Sequence, residues 1–290
     1  ACRGTAGFAH VSCLAEQATI LCDEAEENNW NLGDEAFYPR WDQWFSCSLC
    51  EQRYHGVVAC ALGWACWKRY VGRPEKDNLR GMAMGLLGAG LYQAGHHEEA
   101  LPVQEALLSM FRRLGAPTDS ILAQQHNLAL TYGALGRHEQ AQNMYRDVYS
   151  GYLRLYGEEN SETLLVANNY SVALVDLRRF EEAKALLRKT MPVAQLVFGE
   201  SNAFTLKMRK NYADALYENA GATLDDLREA VTTLEEIERT ALQVFGGAHP
   251  TTASVEYHLR RARAALRARE TGDVSSIREA VEAMTPPGDA

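Results

Sequence analysis

A chain of 290 residues that is 47% apolar and 23% charged has the profile of an ordinary globular protein, not of a disordered or fibrous one. Its formal net charge of −9, with acidic and basic residues interleaved, excludes general binding to a phosphate backbone, which needs a basic footprint. The longest apolar run, Val57 to Trp67, contains glycine and is too short to span a bilayer, so neither nucleic acid nor membrane is an expected partner.

All seven cysteines (Cys2, Cys13, Cys22, Cys47, Cys50, Cys60, Cys66) fall in the first 66 residues, and no basic-then-apolar leader precedes them. An odd, clustered set of this kind reads as metal ligands plus buried thiols in a reducing, cytoplasmic setting. His10-x2-Cys13 and Cys47-x2-Cys50 are chelating spacings, and Cys2 precedes them in an ordered series. Each pair can place two donors on one tetrahedral zinc. Cys22, Cys60 and Cys66 stand among apolar residues and are expected to be packed thiols. Trp30, Trp41 and Trp44 are expected to fill the core of a small module over residues 1–55. Residues 56–75 read as a connecting helix stopped by Gly72 and Pro74.

From residue 76 the chain repeats. Glycine recurs in turn-like contexts at 115, 157, 199 and 246, in steps of 42, 42 and 47 residues. In phase with it run Ala100, Ala141, Ala183 and Ala230, and Asn127, Asn169 and Asn211. Periods of 20–50 residues signal stacked supersecondary units. The pattern predicts helices at 77–94 and 97–114, 119–135 and 138–156, 161–177 and 180–198, 203–219 and 223–245, then 250–270. A short helix at 274–284 is expected before the Pro-Pro-Gly tail. Ala141 and Ala183 mark close helix crossings, and Gly136 suits a left-handed helix end. Asp119, Ser161 and Thr223 are expected caps, and the extra stretch 219–223 a loop. The expected fold is all-α, a solenoid of antiparallel helix pairs over 76–270, with a cap and tail at 271–290.

The array resembles the tetratricopeptide repeat (TPR), in the 42-residue variety of kinesin light chains. The resemblance rests on Asn127-Leu128-Ala129 with Tyr132, Gly136-Arg137, Glu139-Gln140-Ala141, and the turns Gly157-Glu158, Gly199-Glu200 and Gly246 through Ala253. It implies a right-handed superhelix whose first helices line a concave groove for an extended peptide. Asn127, Asn169 and Asn211 fall on those helices. Their amides suit either a peptide backbone or the backbone of a neighbouring repeat. Arg209 and Lys210 would add positive charge for an acidic ligand.

The N-terminal series is similar to the C-terminal part of the RING-CH (RING-variant) finger of a class of ubiquitin ligases. The matching words are Cys2-Arg3-Gly4-Thr5, His10, Cys13-Leu14 and Cys47-Ser48-Leu49-Cys50 with Tyr54. This resemblance implies two zinc ions in a cross-brace. Cys2, Cys47 and Cys50 would hold one and His10 with Cys13 the other, the first three ligands lying before Ala1. It also implies a ubiquitin-conjugating E2 as partner. The Cys13–Cys47 interval is longer than usual for that family, and Glu51 stands where many active ligases carry a basic residue. No nucleophile elbow, P-loop or HExxH is present. The expected function is a protein–protein interaction scaffold. It would be the substrate-recruiting part of a RING-CH-type E3 ligase or, alternatively, a kinesin-light-chain-like cargo adaptor with a degenerate, purely structural finger.

Overall fold

The computed structural model describes residues 10–28 and 35–272. Cys2, the Arg3-Gly4-Thr5 word, Trp30 and the 274–284 helix lie outside the described residues. Among the described residues the regular structure is all helical, apart from one isolated antiparallel bridge between Ser46 and Arg53. The chain divides into two compact units, Ala1–Arg137 and His138–Ala290.

The first unit holds α1 (Val11–Glu27), α2 (Tyr38–Trp41), α3 (Gly56–Tyr70), α4 (Asn78–Gln93), α5 (His97–Leu114) and α6 (Thr118–Ala134). α1 buries Ala18, Cys22 and Ala25, spaced four and three apart so that they share one face. That face meets Phe37, Trp41, Trp44, Cys66, Tyr70 and Ala83 in one apolar cluster. Trp41 and Trp44 are therefore core residues, and Cys22 and Cys66 are packed thiols, both pushed up in pKa by burial. The core of the N-terminal segment extends into the helices that follow it. Arg69–Asp23 and Arg73–Glu26 ion pairs fasten α1 to the end of α3 and the segment after it. α3 and α4 cross through glycine. A Cβ on Gly90 would stand 2.7 Å from the Ala59 carbonyl oxygen, and one on Gly63 would stand 3.0 Å from that of Leu86.

On α6, His126 is only 7% exposed, and burial lowers its pKa from 6.5 to about 4. The unfolded chain takes up a proton that the folded unit resists. This contribution is therefore full above about pH 6.5 and is lost as pH falls towards 4. Linkage puts the loss at about 2 kcal/mol by pH 5 and about 3 kcal/mol in full. Urea unfolding at pH 7 and pH 5 should show this decline in the wild type and a smaller one in His126→Gln. An identical decline in both would rule out the histidine as its source.

The second unit holds α7 (His138–Tyr156), α8 (Ser161–Asp176), α9 (Phe180–Phe198), α10 (Ala203–Tyr217), α11 (Leu224–Phe245) and α12 (Pro250–Thr271). Leu164, Leu187, Leu206, Leu216, Leu234, Ile237, Val255 and Leu259 form its core. The alanine track is buried at Ala141, Ala183 and Ala230, as expected where only a methyl fits between helices.

In both units the helices match the predicted pairs closely. The largest difference is α10, which ends at Tyr217 rather than 219. The glycine track explains itself, since Gly115, Gly157, Gly199 and Gly246 have φ of 65°, 82°, 91° and 80°. Side chains with a Cβ rarely adopt that region. Two of the three expected caps are displaced. The N-cap of α8 is Asn160, whose Oδ1 accepts the Glu162 and Thr163 N–H groups; Ser161 is the first helical residue. Asp119 lies inside α6, which starts after Pro117 without a side-chain cap. A cap must sit in extended backbone one step before the helix to reach back to its free N–H groups. Thr223 does so, in a reciprocal capping box with Asp226.

Candidate functional site

Within the first unit, α4, the C-terminal half of α5 and α6 surround an open cleft of about 640 Å³. Its floor is apolar: Leu107, Met110 and Phe111 of α5, with Met82 of α4. Gly81 and Gly85 of α4 form one wall, and Ala123, Gln124 and Asn127 of α6 form the other. Glu75, Lys76 and Asp77 stand at the mouth. The size falls within the range of ligand pockets, about 300–1,000 Å³.

The polar groups around the cleft are largely fixed. Glu75 is paired with Arg113. Asp77 is paired with Arg73 at 3.2 Å and also caps α4, accepting the Leu79 N–H at 2.9 Å. Buried Gln124 donates from Nε2 to the Gln104 carbonyl at 3.3 Å, and the Gln104 side chain in turn accepts Thr131 Oγ1–H at 2.7 Å. Asn127 is exposed on the cleft wall.

The three asparagines share a phase but not a setting. Asn169 is half-buried and Asn211 is buried. Asn211 donates from Nδ2 to Asn168 Oδ1 at 2.8 Å, joining α10 to α8, and Asn168 donates to Asn169 Oδ1 at 3.2 Å. Asn211 thus bonds a neighbouring repeat, through a side chain rather than the backbone. Asn168, which the repeat pattern passed over, is wholly buried. Its partner 43 positions away is one more than the period, and that offset was the available signal.

The positive charge expected at Arg209 and Lys210 is neutralised inside the second unit. Arg209 pairs with Glu236 at 2.5 Å. Lys210 pairs with buried Asp214 at 2.9 Å and lies 3.3 Å from His258 Nε2, while His258 Nδ1 lies 2.7 Å from the same carboxylate. Burial alone would raise the Asp214 pKa, but His258 and Lys210 hold it below the usual carboxylate value.

Of the expected zinc ligands, His10 is exposed at the start of α1 and Cys13 is exposed on its first turn. Cys47 and Cys50 share a tight surface turn, in which Glu51 N–H donates to Cys47 O at 2.8 Å and Cys47 N–H to Gln52 O at 2.9 Å. Glu51 takes a left-handed φ of 58°. No zinc-finger module is evident among the described residues. Val11–Glu27, which lies between the expected ligands His10 and Cys47, is instead the packed helix α1. Among the described residues no three His, Cys, Asp or Glu side chains gather where a metal could sit. The cross-brace assignment itself divides the four described candidates two and two. Likewise, no helix of the described residues is long and apolar enough to cross a membrane.

Residues 79–154 and 163–202 match two family models, each described as a tetratricopeptide repeat. No curated protein matches the chain. Among solved structures, a putative kinesin light chain from Podosopora anserina, with nearly identical TPR-like repeats, is 20% identical with a TM-score of 0.56, over 73% of this chain and 96% of that one. BtubC (BKLC) from P. vanneervenii is 15% identical with a TM-score of 0.55, over 98% and 96%. A Rap protein complexed with competence and sporulation factor is 13% identical with a TM-score of 0.50, over 89% and 72%. The chain therefore carries a tetratricopeptide-repeat array that resembles, in fold, the TPR proteins of the kinesin-light-chain type.

Proposed function

We propose that this TPR-type interaction scaffold holds an extended peptide of a protein partner against its first helices, with the cleft between α4 and α6 as the seat and Asn127 as a contact to the peptide backbone. The observation that carries this reading is the open, apolar-floored cleft with an exposed amide in its wall. A similarly folded Rap protein, solved in complex with competence and sporulation factor, lends it support. An adaptor of the kinesin-light-chain type is the favoured form. Asn169 has the same sequence phase in the second unit, while Asn211 serves the packing there.

Peptides selected from a phage-displayed random library on the full chain test this. Asn127→Ala should weaken them about tenfold, the value of one or two hydrogen bonds to a backbone, without moving the unfolding midpoint. Asn211→Ala should lower stability by about 1–2 kcal/mol, because it leaves buried Asn168 without its donor. Undiminished binding to Asn127→Ala would remove the cleft from this role.

A second reading keeps the array as the substrate-recruiting half of a RING-CH-type E3 ligase. Zinc would be held by Cys2, Cys47 and Cys50 and by His10 and Cys13, and the partner would be an E2. It is supported by the ordered Cys/His series and by the 47–51 turn, which keeps two thiols on one surface loop. A reducing, cytoplasmic setting suits both readings. Zinc added to the chain should slow the reaction of Cys47 and Cys50 with a thiol-specific reagent, since bound thiolates are withdrawn from attack, and Cys47→Ser should abolish that protection. Thiol reactivity indifferent to zinc would end this reading.

A further inference from the structure

Counted back one period of 42 from Asn127, the asparagine track reaches Gly85, and the same step from Ala123 reaches Gly81. In α8 and α10 these phases carry Leu165 and Lys207, and Asn169 and Asn211. The cleft of the first unit thus lies where the first helices lack the side chains that occupy the same positions later in the chain. A Cβ on Gly85 would lie 3.4 Å from Leu107 Cδ2, an ordinary contact, and one on Gly81 would lie 3.2 Å from Met110 Cε. Glycine at these two sites leaves space beside Leu107 and Met110, which are themselves only 2% and 4% exposed.

We infer that this recess is an anchor pocket for one bulky, uncharged apolar side chain of the bound peptide (Phe, Trp, Leu or Met), with Gly85 as the residue that sets its specificity. The inference rests on the peptide-binding reading and adds the chemistry of the anchor. The occupant follows from charge. Both mouth carboxylates are engaged, Glu75 by Arg113 and Asp77 by Arg73. Lys76 adds a cation beside Asp77 at the mouth, the remaining polar lining (Asn78, Ser120, Gln124 and Asn127) is neutral, and the floor is hydrocarbon and thioether. A carboxylate or ammonium pushed to that floor would lose its water without gaining a partner, whereas an apolar side chain gains by leaving water. The two flexible thioethers, Met82 and Met110, let the floor adapt to aromatic or branched shapes. The amide of Asn127 is then placed to meet the peptide backbone beside the anchor.

The test titrates the full chain with two capped amino acids, N-acetyl-phenylalanine amide and N-acetyl-aspartate α-amide, and follows backbone amide NMR signals. The phenylalanine probe should give saturable shifts at Gly81, Gly85 and Ala123, with a dissociation constant of about 1 mM or weaker, as suits a single residue. The aspartate probe should give none. Gly85→Leu fills the recess with its own side chain and replaces glycine by a strong helix former. It should therefore abolish the phenylalanine shifts while the melting temperature holds or rises. Equal shifts with both probes, or phenylalanine binding that survives Gly85→Leu in a folded protein, would overturn the anchor pocket. Library-selected peptides that lack a bulky apolar residue and bind Gly85→Leu undiminished would also overturn it, while leaving the scaffold reading in place. Binding of the phenylalanine probe to wild type but not to Gly85→Leu, together with selected peptides that carry a bulky apolar residue, establishes the pocket.

Discussion

Gly90→Ala should destabilise the first unit by about 1–3 kcal/mol, although the same exchange in an exposed helix would stabilise it by about 1 kcal/mol. The added methyl would stand 2.7 Å from the Ala59 carbonyl oxygen and 3.0 Å from both Ala59 C and Cys60 Cα. All three are backbone atoms of α3, so no side chain can swing aside. Relief requires the two helices to separate, and that opens the cluster of Leu87 and Leu91 of α4 with Cys60 and Trp67 of α3. Gly85→Ala, five residues earlier on the same helix, provides the internal control. Its methyl meets only the tip of Leu107 at 3.4 Å, so the propensity gain should survive and stabilise by up to about 1 kcal/mol. Urea unfolding followed by circular dichroism distinguishes the two. Changes of the same sign would mean that the α3–α4 crossing is looser than its geometry requires.

Asp214→Ala should cost the second unit about 2–4 kcal/mol, because it leaves Lys210 and His258 facing each other without the carboxylate that both approach. These side chains are 16% exposed and that of Asp214 is 11% exposed, so water offers little compensation. The pH dependence has a definite sign. Asp214 is held below the ordinary carboxylate pKa of 3.8 by His258 and Lys210, against the opposing effect of burial. Its stabilisation is therefore complete above about pH 4 and is lost as pH falls through the lower, folded value. Asp214→Asn should be less stable than wild type at pH 7 and should show a flatter decline below pH 4. If its acid limb is as steep as that of the wild type, other carboxylates control acid unfolding.

Much of the helical frame was legible because its requirements are local. A left-handed turn admits glycine and little else, so Gly115, Gly157, Gly199 and Gly246 announce themselves wherever the chain must reverse. A close crossing admits only a methyl, so Ala141, Ala183 and Ala230 do the same. The caps were less legible, since whether Asn160 or Ser161 ends the loop depends on one residue's backbone angle, which neighbouring polar residues satisfy equally well on paper. The cleft was less legible still. Asn127 lies in the cleft wall, but the cleft itself follows from the glycines opposite, and an absent side chain leaves no mark in a search for chemical groups.

The N-terminal Cys/His order led towards a finger, while Ala18, Cys22 and Ala25 formed a helical face that only Trp41, Trp44 and Tyr70 could reveal by packing on it. The charges show the same limit. Arg209 and Lys210 are cations in composition, yet Glu236, far along the chain, pairs with the first, and Asp214, one turn on and buried, pairs with the second. The chain alone determined the all-helical class, the repeat and its turns, because each rests on backbone conformation and side-chain volume within a few residues. Tertiary structure decided which phase-equivalent residues face a cleft, which bond a neighbouring helix and which charges cancel. Those outcomes depend on partners brought together only when the helices stack.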